Sequence, residues 1–319
     1  MILFRMFRTC LLFWVNFRLM LTRFSLVHLC VLSFCPLLPS SASTIWLAPQ
    51  KTSSEIKGWY APSIQTLKGD VVEYTQEVIV VVDSRTRKEQ RFASSRVIWI
   101  ESDDLTGEER EFRQAFEMGN DSEVLGNLPE VLNQRPPVWR QQWLTMVAAV
   151  SAWRTNRGQI ALELIGQLDR RPLPLLSLAW VPLAWTNEAT ADPMISEALD
   201  RISDPSELVR LTASSWLLGS PKRKTGVDEL QQLMKSKRPE IAGLAEILLW
   251  RIATPDQVAS SKNTWEQSIA SLPMVIQTGP LVLLMDKLRA SGDEVSARHL
   301  QWALEVTPLL KQLDWMERR

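Results

Sequence analysis

Residue types able to do chemistry are few in this chain, and their placement is uneven. Everything after Ser43 contains one imidazole, His299, and no thiol; His28 and all three cysteines, Cys10, Cys30 and Cys35, lie before it. Disulfides, Cys/His zinc sites and a cysteine nucleophile are therefore excluded beyond residue 43. Any Ser-His-Asp mechanism has to use His299. That residue falls in the series Val295, His299, Trp302 and Val306, at i, i+4, i+7 and i+11, which predicts a packed helix face rather than a general base. On that reading His299→Ala costs about 1–3 kcal/mol of stability and Trp302→Ala about 3–5 kcal/mol.

The stretch Gly219-Ser220-Pro221-Lys222-Arg223-Lys224-Thr225 has the glycine, cations and hydroxyl of a phosphate-binding loop. Lys224 stands where the second glycine belongs, Pro221 removes an amide, and a helix precedes it instead of a strand. A solvated basic turn is expected. Glu108 and Glu109 are adjacent on a helix and face apart, and the acids Glu101, Asp103 and Asp104 read as a solvated linker. Tryptophan is the one exceptional count, at 14 residues. Indole faces stack on sugars and anchor interfaces, but most of these stand beside Leu and Val at helical spacing, where core packing is expected. No catalytic, cofactor-binding or metal-ligating residue is assigned, and no cofactor is implied.

The chain has 319 residues, 45% apolar and 23% charged, a composition that excludes wholesale disorder or a collagen-like fibre. Lys+Arg and Asp+Glu both number 36, so the balance does not point to nucleic acid. Arg5, Arg8, Arg18 and Arg23 are the only charged residues up to Ser43. They precede Phe24–Leu38, an apolar run of about 15 residues followed by Pro39-Ser40-Ser41-Ala42-Ser43. Basic flank, short apolar core and small residues describe a signal peptide over residues 1–43, with Met20 as an alternative start. About 15 residues fall short of the roughly 20 that span a bilayer, so cleavage is expected over retention as a membrane anchor. Leu29 and Phe34, before Cys30 and Cys35, are too large for a lipoprotein signal. The expected location is periplasmic or extracellular.

Residues 44–104 read as a small β unit. Val78–Val82 and Arg96–Ile100 are β-branched runs, Val71–Tyr74 is a shorter strand after the turn signal Lys68-Gly69-Asp70, and Asp83–Lys88 is polar enough for a hairpin tip. The pattern resembles the meander of a small Sm- or Tudor-like barrel. Residues 105–319 read as helical throughout. Asp204-Pro205-Ser206-Glu207 predicts a helix start with Asp204 as N-cap, running to Gly219. Arg238-Pro239-Glu240 opens another, with Ile241, Leu244, Ala245, Leu248, Leu249 and Ile252 on one face. Trp139, Trp143, Met146, Val147, Val150 and Trp153 form a similar stripe, and Ile160, Ala161, Leu164, Ile165 and Leu168 the next.

Val209, Thr212, Ala213 and Leu217 align with Ile241, Leu244, Ala245 and Leu249, about 32 residues on, which is a spacing of stacked helix pairs. Asp204 to Ala213, with its Asp…Val-Arg…Ala order, is similar to HEAT repeats. Arg157-Gly158-Gln159-Ile160-Ala161-Leu162 and Gly292-Asp293-Glu294-Val295-Ser296-Ala297 resemble the helix openings of tetratricopeptide (TPR) repeats. The whole resembles exported bacterial proteins with a small β unit and degenerate helical repeats. The fold expected is mainly α, an irregular α-solenoid preceded by a β-barrel-like or β-meander unit.

That resemblance implies a non-catalytic protein-binding or scaffold module of the bacterial cell envelope. Its partner would be another envelope protein, with no nucleic acid, and with membrane contact only through a retained leader. The alternative is an envelope glycan-binding protein, or an enzyme acting on glycans through carboxylates. Glu101-Ser102 matches the dipeptide that carries the acid of lytic transglycosylases, but Asp103-Asp104-Leu105-Thr106-Gly107 lacks that family's continuation. The leader is checked by mass spectrometry of the native protein: the mature chain should begin near Thr44, and an intact peptide spanning Leu38 to Pro49 would mean that it is not cleaved.

Overall fold

The computed structural model describes residues 43–49, 64–102 and 104–306, without the Val306 side chain. The expected signal peptide lies outside the described residues but for Ser43, as does Asp103. Five strands form one antiparallel sheet: β1 (Ser43–Leu47), β2 (Gln65–Tyr74), β3 (Val78–Asp83), β4 (Glu89–Ala93) and β5 (Val97–Glu101). Their order is β4-β3-β2-β1-β5. β2, β3 and β4 are the expected meander, but β1 enters between β2 and β5, and the sheet is open rather than a barrel. Its apolar face of Ile45, Leu47, Leu67, Ile79, Val81, Val97 and Ile100 is covered by Trp139 from a helix, so closure is not needed to bury it.

Lys68-Gly69-Asp70 lies inside β2 and is not a turn. Gly69 is paired with Ser43 on one side and Asp83 on the other, and a Cβ there would stand 2.3 Å from the Val82 carbonyl oxygen. The glycine marks a close backbone approach within the sheet. The Asp83–Lys88 tip forms as expected. Asp83 Oδ1 accepts hydrogen bonds from the amides of Arg85 (2.9 Å) and Thr86 (2.6 Å), and Arg87 takes a φ of +56°.

Twelve α-helices follow among the described residues: α1 (Gly107–Glu117), α2 (Asp121–Asn133), α3 (Val138–Arg154), α4 (Gly158–Leu168), α5 (Leu175–Ala179), α6 (Asp192–Asp200), α7 (Glu207–Leu217), α8 (Arg223–Leu233), α9 (Pro239–Leu249), α10 (Pro255–Ser271), α11 (Thr278–Ala290) and α12 (Glu294–Val306). Three turns share one device. Gly119, Asn156 and Gly292 have φ of +76°, +56° and +86°, and the amide after each reaches back five residues, Asn120 to Ala115, Arg157 to Ala152 and Asp293 to Leu288, at 2.8–2.9 Å. These left-handed stops turn α1 into α2, α3 into α4 and α11 into α12, and the paired helices pack together.

The predicted stripes are core in part. On α9, Ile241, Leu244, Ala245 and Leu248 are buried and Leu249 is half-buried, but Ile252, past the end of the helix, is exposed. On α4, Ile160 is exposed and Leu162 is fully buried instead. α3 buries its stripe except the half-buried Trp143, and also Leu144, Ala148, Ala149, Ser151 and Ala152, because the chain covers it on several sides. Where the sheet meets the helices, Arg140 of α3 is buried against Glu109 of α1, Nη1 to Oε2 at 3.1 Å, and against Asp104. Arg140 and Glu109 are buried, while Asp104 ties the exposed linker to them with half of its side chain still in solvent. Glu109 also closes a capping box with Thr106, which explains why it turns inward while Glu108 does not.

The N-cap of α7 is Ser206, not Asp204. Ser206 Oγ accepts from the Val209 amide (3.1 Å), while Asp204 Oδ1 accepts from the Ser206 amide (2.9 Å) one step earlier. A tertiary contact makes the choice. Ser206 Oγ donates to Asp169 Oδ2 (2.7 Å) at the C-terminal end of α4, and Arg238 Nη1, at the start of α9, donates to Asp169 Oδ1 (2.5 Å). Burial alone would lower the Arg238 pKa; the Asp169 and then Glu240 carboxylates outweigh it and raise it. One carboxylate, with 9% of its side chain exposed, thus gathers three helix termini. Asp169→Ala should cost about 2–4 kcal/mol, since Arg238 and Ser206 would lose their shared acceptor. Urea unfolding of the purified variant measures this.

Candidate functional site

The carbonyls that end α7 are buried, and each finds its donor from a different element. Arg251 Nη1 donates to Ser215 O (2.6 Å), Thr190 Oγ1 to Trp216 O (2.5 Å), Ser220 Oγ to Leu217 O (2.8 Å), and Arg223 Nε to Leu218 O (3.1 Å). Lys287 of α11 repeats the device one helix further, donating from Nζ to Arg251 O and to Ala253 O (3.3 Å). A buried helix end requires such partners, and cations suit the negative pole of the helix dipole.

The consequence is a cavity of about 340 Å³ lined by Arg223, Arg251 and Lys287, with Asn187, Ala189, Leu218, Gly219 and Ile252 completing the wall. Among the described residues the lining has three cations and no carboxylate. Arg251 and Lys287 are 5% and 8% exposed, and Arg251 Nε is buried without a hydrogen-bond partner. Burial, and then the Arg223 charge, pulls the Arg251 guanidinium down to about 10. Burial, followed by the charges of Arg251 and Arg223, lowers Lys287 as well. Nearby acid sits outside the lining: Glu188 is exposed, and Asp286 is raised, first by burial and further by Glu188, with Arg289 opposing. The arrangement is an electrostatic well for negative charge with main-chain carbonyls holding the cations in place.

Sequence reading found Arg223 in the basic stretch 219–225 but not its partners. That stretch is partly a solvated turn, since Lys222 and Lys224 are exposed, yet Gly219 and Arg223 face the cavity. Gly219 has no room for a side chain: a Cβ would stand 2.5 Å from Glu188 O. Arg251 and Lys287 carry one faint signal, a cation inside an apolar stretch, Leu248-Leu249-Trp250-Arg251-Ile252 and Leu283-Leu284-Met285-Asp286-Lys287-Leu288.

His299 does not join the cavity, and the packing expected for it is not found. Val295, His299 and Trp302 form the outward face of α12, with Val295 83% and Trp302 60% exposed. The spacing was right for a single face, but α12 buries Ala297 and half-buries Ser296 and Leu300 against α11 instead. Small residues let the two helices approach closely, which wins over the larger apolar surface of the other face. The tryptophans divide as well. Trp139, Trp153, Trp185, Trp216, Trp250 and Trp265 are core, Trp250 stacking on Trp265 at 4.6 Å between centroids. Trp46 and Trp302 are exposed. Glu101 is exposed at the end of β5, and Ser102 Oγ hydrogen-bonds Asp104 beside it. Among the described residues no group of three or more His, Cys, Asp or Glu could hold a metal ion, and no helix is long and apolar enough to cross a membrane.

Exposure removes both expected stability effects. His299→Ala and Trp302→Ala should each leave stability within about 0.5 kcal/mol of wild type. Trp216→Ala, which also removes the Nε1 hydrogen bond to Pro182 O (2.8 Å), should cost about 3–5 kcal/mol. Thermal melts of the three variants check the order. No family model, curated protein or solved structure matches this chain.

Proposed function

We propose that this chain is a non-catalytic protein-binding or scaffold module of the bacterial cell envelope, built as an irregular helical-repeat array. The observation that carries this reading is the way the later helices are tied together. α7 and α9 bring their N-termini to Asp169 and their C-terminal ends to the Arg251–Ser215 hydrogen bond, so they run parallel. Lys287 extends the same tie to α11. Both ties span 36 residues of sequence, within the repeat length of stacked helix pairs. α8 packs between α7 and α9 in sequence, and α10 between α9 and α11, as the returning helix of each pair. The departures from regularity lie before α7, where α4 meets the start of α7 with its own C-terminal end.

Helix arrays of this kind hold side chains rigidly for recognition, and α12 turns Val295 and Trp302 outward. Export rests on the basic, apolar and small-residue pattern of residues 1–43. A glycan-acting enzyme is the reading to beat, and one experiment separates the two. Wild-type protein and a Val295→Ser/Trp302→Ala variant of equal melting temperature are cross-linked in envelope extract. Recovery of one specific protein by the wild type, lost by the variant, supports the scaffold. Glycan turnover by the purified chain, abolished by a single carboxylate substitution, overturns it.

A further inference from the structure

We propose that the cavity between the C-terminal ends of α7, α9 and α11 is a binding site for a phosphoryl group, with Arg223, Arg251 and Lys287 as its ligands. The inference stands independently of the protein-binding reading, because it uses different residues. Three cations line one cavity, with Arg223 on its solvent-exposed side, and the partners that hold them are main-chain carbonyls: Leu218 O for Arg223, Ser215 O for Arg251, and Arg251 O and Ala253 O for Lys287. If carbonyl capping were their whole role, the two guanidiniums and the ammonium would not need to converge, since each helix end carries only about half a negative charge. Their convergence leaves a surplus of positive charge, screened least at the buried Arg251 and Lys287.

A further feature points to an anion. Arg251 is 95% buried by its 5% exposure and keeps Nε without a hydrogen-bond partner at the cavity it lines. The charge count favours a phosphoryl dianion over a carboxylate. Two charges and three oxygens match two planar guanidiniums and an ammonium, whereas a carboxylate offers one charge and two oxygens. The basic stretch 219–225 then contributes Arg223, although it is not a phosphate loop of the strand-to-helix kind.

The test is isothermal titration of the purified chain with inorganic phosphate, at ionic strength held constant with chloride, and with acetate as the carboxylate probe. Saturable phosphate binding that acetate does not match is expected. Arg223→Gln loses the bond to Leu218 O and should lower the melting temperature in chloride by a few degrees while still folding, and should weaken phosphate binding by about tenfold or more. Lys287→Gln should weaken it similarly if it folds; Arg223→Gln suffices if it does not. No phosphate heat beyond chloride, acetate binding as tightly as phosphate, or an unchanged affinity in Arg223→Gln would each overturn the proposal. Sedimentation with phosphatidic acid vesicles, against phosphatidylcholine alone, assigns the source. Binding to the former means a lipid-borne phosphoryl group, and phosphate binding without vesicle binding means a soluble one.

Discussion

A helix that ends in the interior leaves carbonyls that water cannot reach, and the later half of this protein is organised around supplying their donors. α7 ends in this way. Its last carbonyls take hydrogen bonds from Arg251, Thr190, Ser220 and Arg223, which belong to four different segments. The Arg251 carbonyl is in turn met by Lys287. Each donor must sit at one place relative to α7, so satisfying these groups also sets where the 187–190 loop, the start of α8, the end of α9 and α11 come to rest. Burying two cations is expensive, and the lowered pKa of both records the cost.

The opposite end of the same row is held by a carboxylate. Asp169 stands at the C-terminal end of α4, where its charge opposes that helix's dipole, but it serves the N-termini of α7 and α9, where a negative charge is favoured. The first half of the chain uses a similar solution at the junction of sheet and helices, with Arg140 buried between Glu109 and Asp104. Buried pairs of this kind add little net stability over apolar packing. What they exclude is misregistered packing, in which a charge would be left alone in the interior. Between these polar fixtures the space is filled by indoles. Trp185 lies over Gly279 so closely that a Cβ there would stand 2.2 Å from its ring, and Trp216 anchors Pro182 through Nε1.

This division of labour bears on function. Of the residues with the greatest chemical capacity, His299 and the described tryptophans, His299 and Trp302 are outward on α12, Trp46 is exposed on β1, and the others are part of the packing. The charged residues gathered around the cavity are cations. Recruited to cap helix ends, they are also held rigidly by those carbonyls, so the same hydrogen bonds that complete the fold preorganise the cavity. Fold and site share one set of interactions, which is why neither can be read without the other.

The sequence by itself determined the local elements. Alternation and β-branched runs place β3, β5 and the charged hairpin tip; Pro239 opens α9; and Gly119 and Gly292 stop helices because they alone adopt a positive φ without strain. Those are properties of a residue and its near neighbours along the chain. What only the tertiary structure decided is which of two surfaces an element turns inward and which distant groups meet. β1 has no strong strand signal and exists because β2 and β5 flank it. Ser206 caps α7 because Asp169, 37 residues away, orients its hydroxyl. α12 hides Ala297 rather than Trp302 because α11 accepts the closer approach. Arg223, Arg251 and Lys287 converge because buried carbonyls draw them there. Periodicity reports that a face exists, but the free energy that selects the buried face belongs to the partner that covers it.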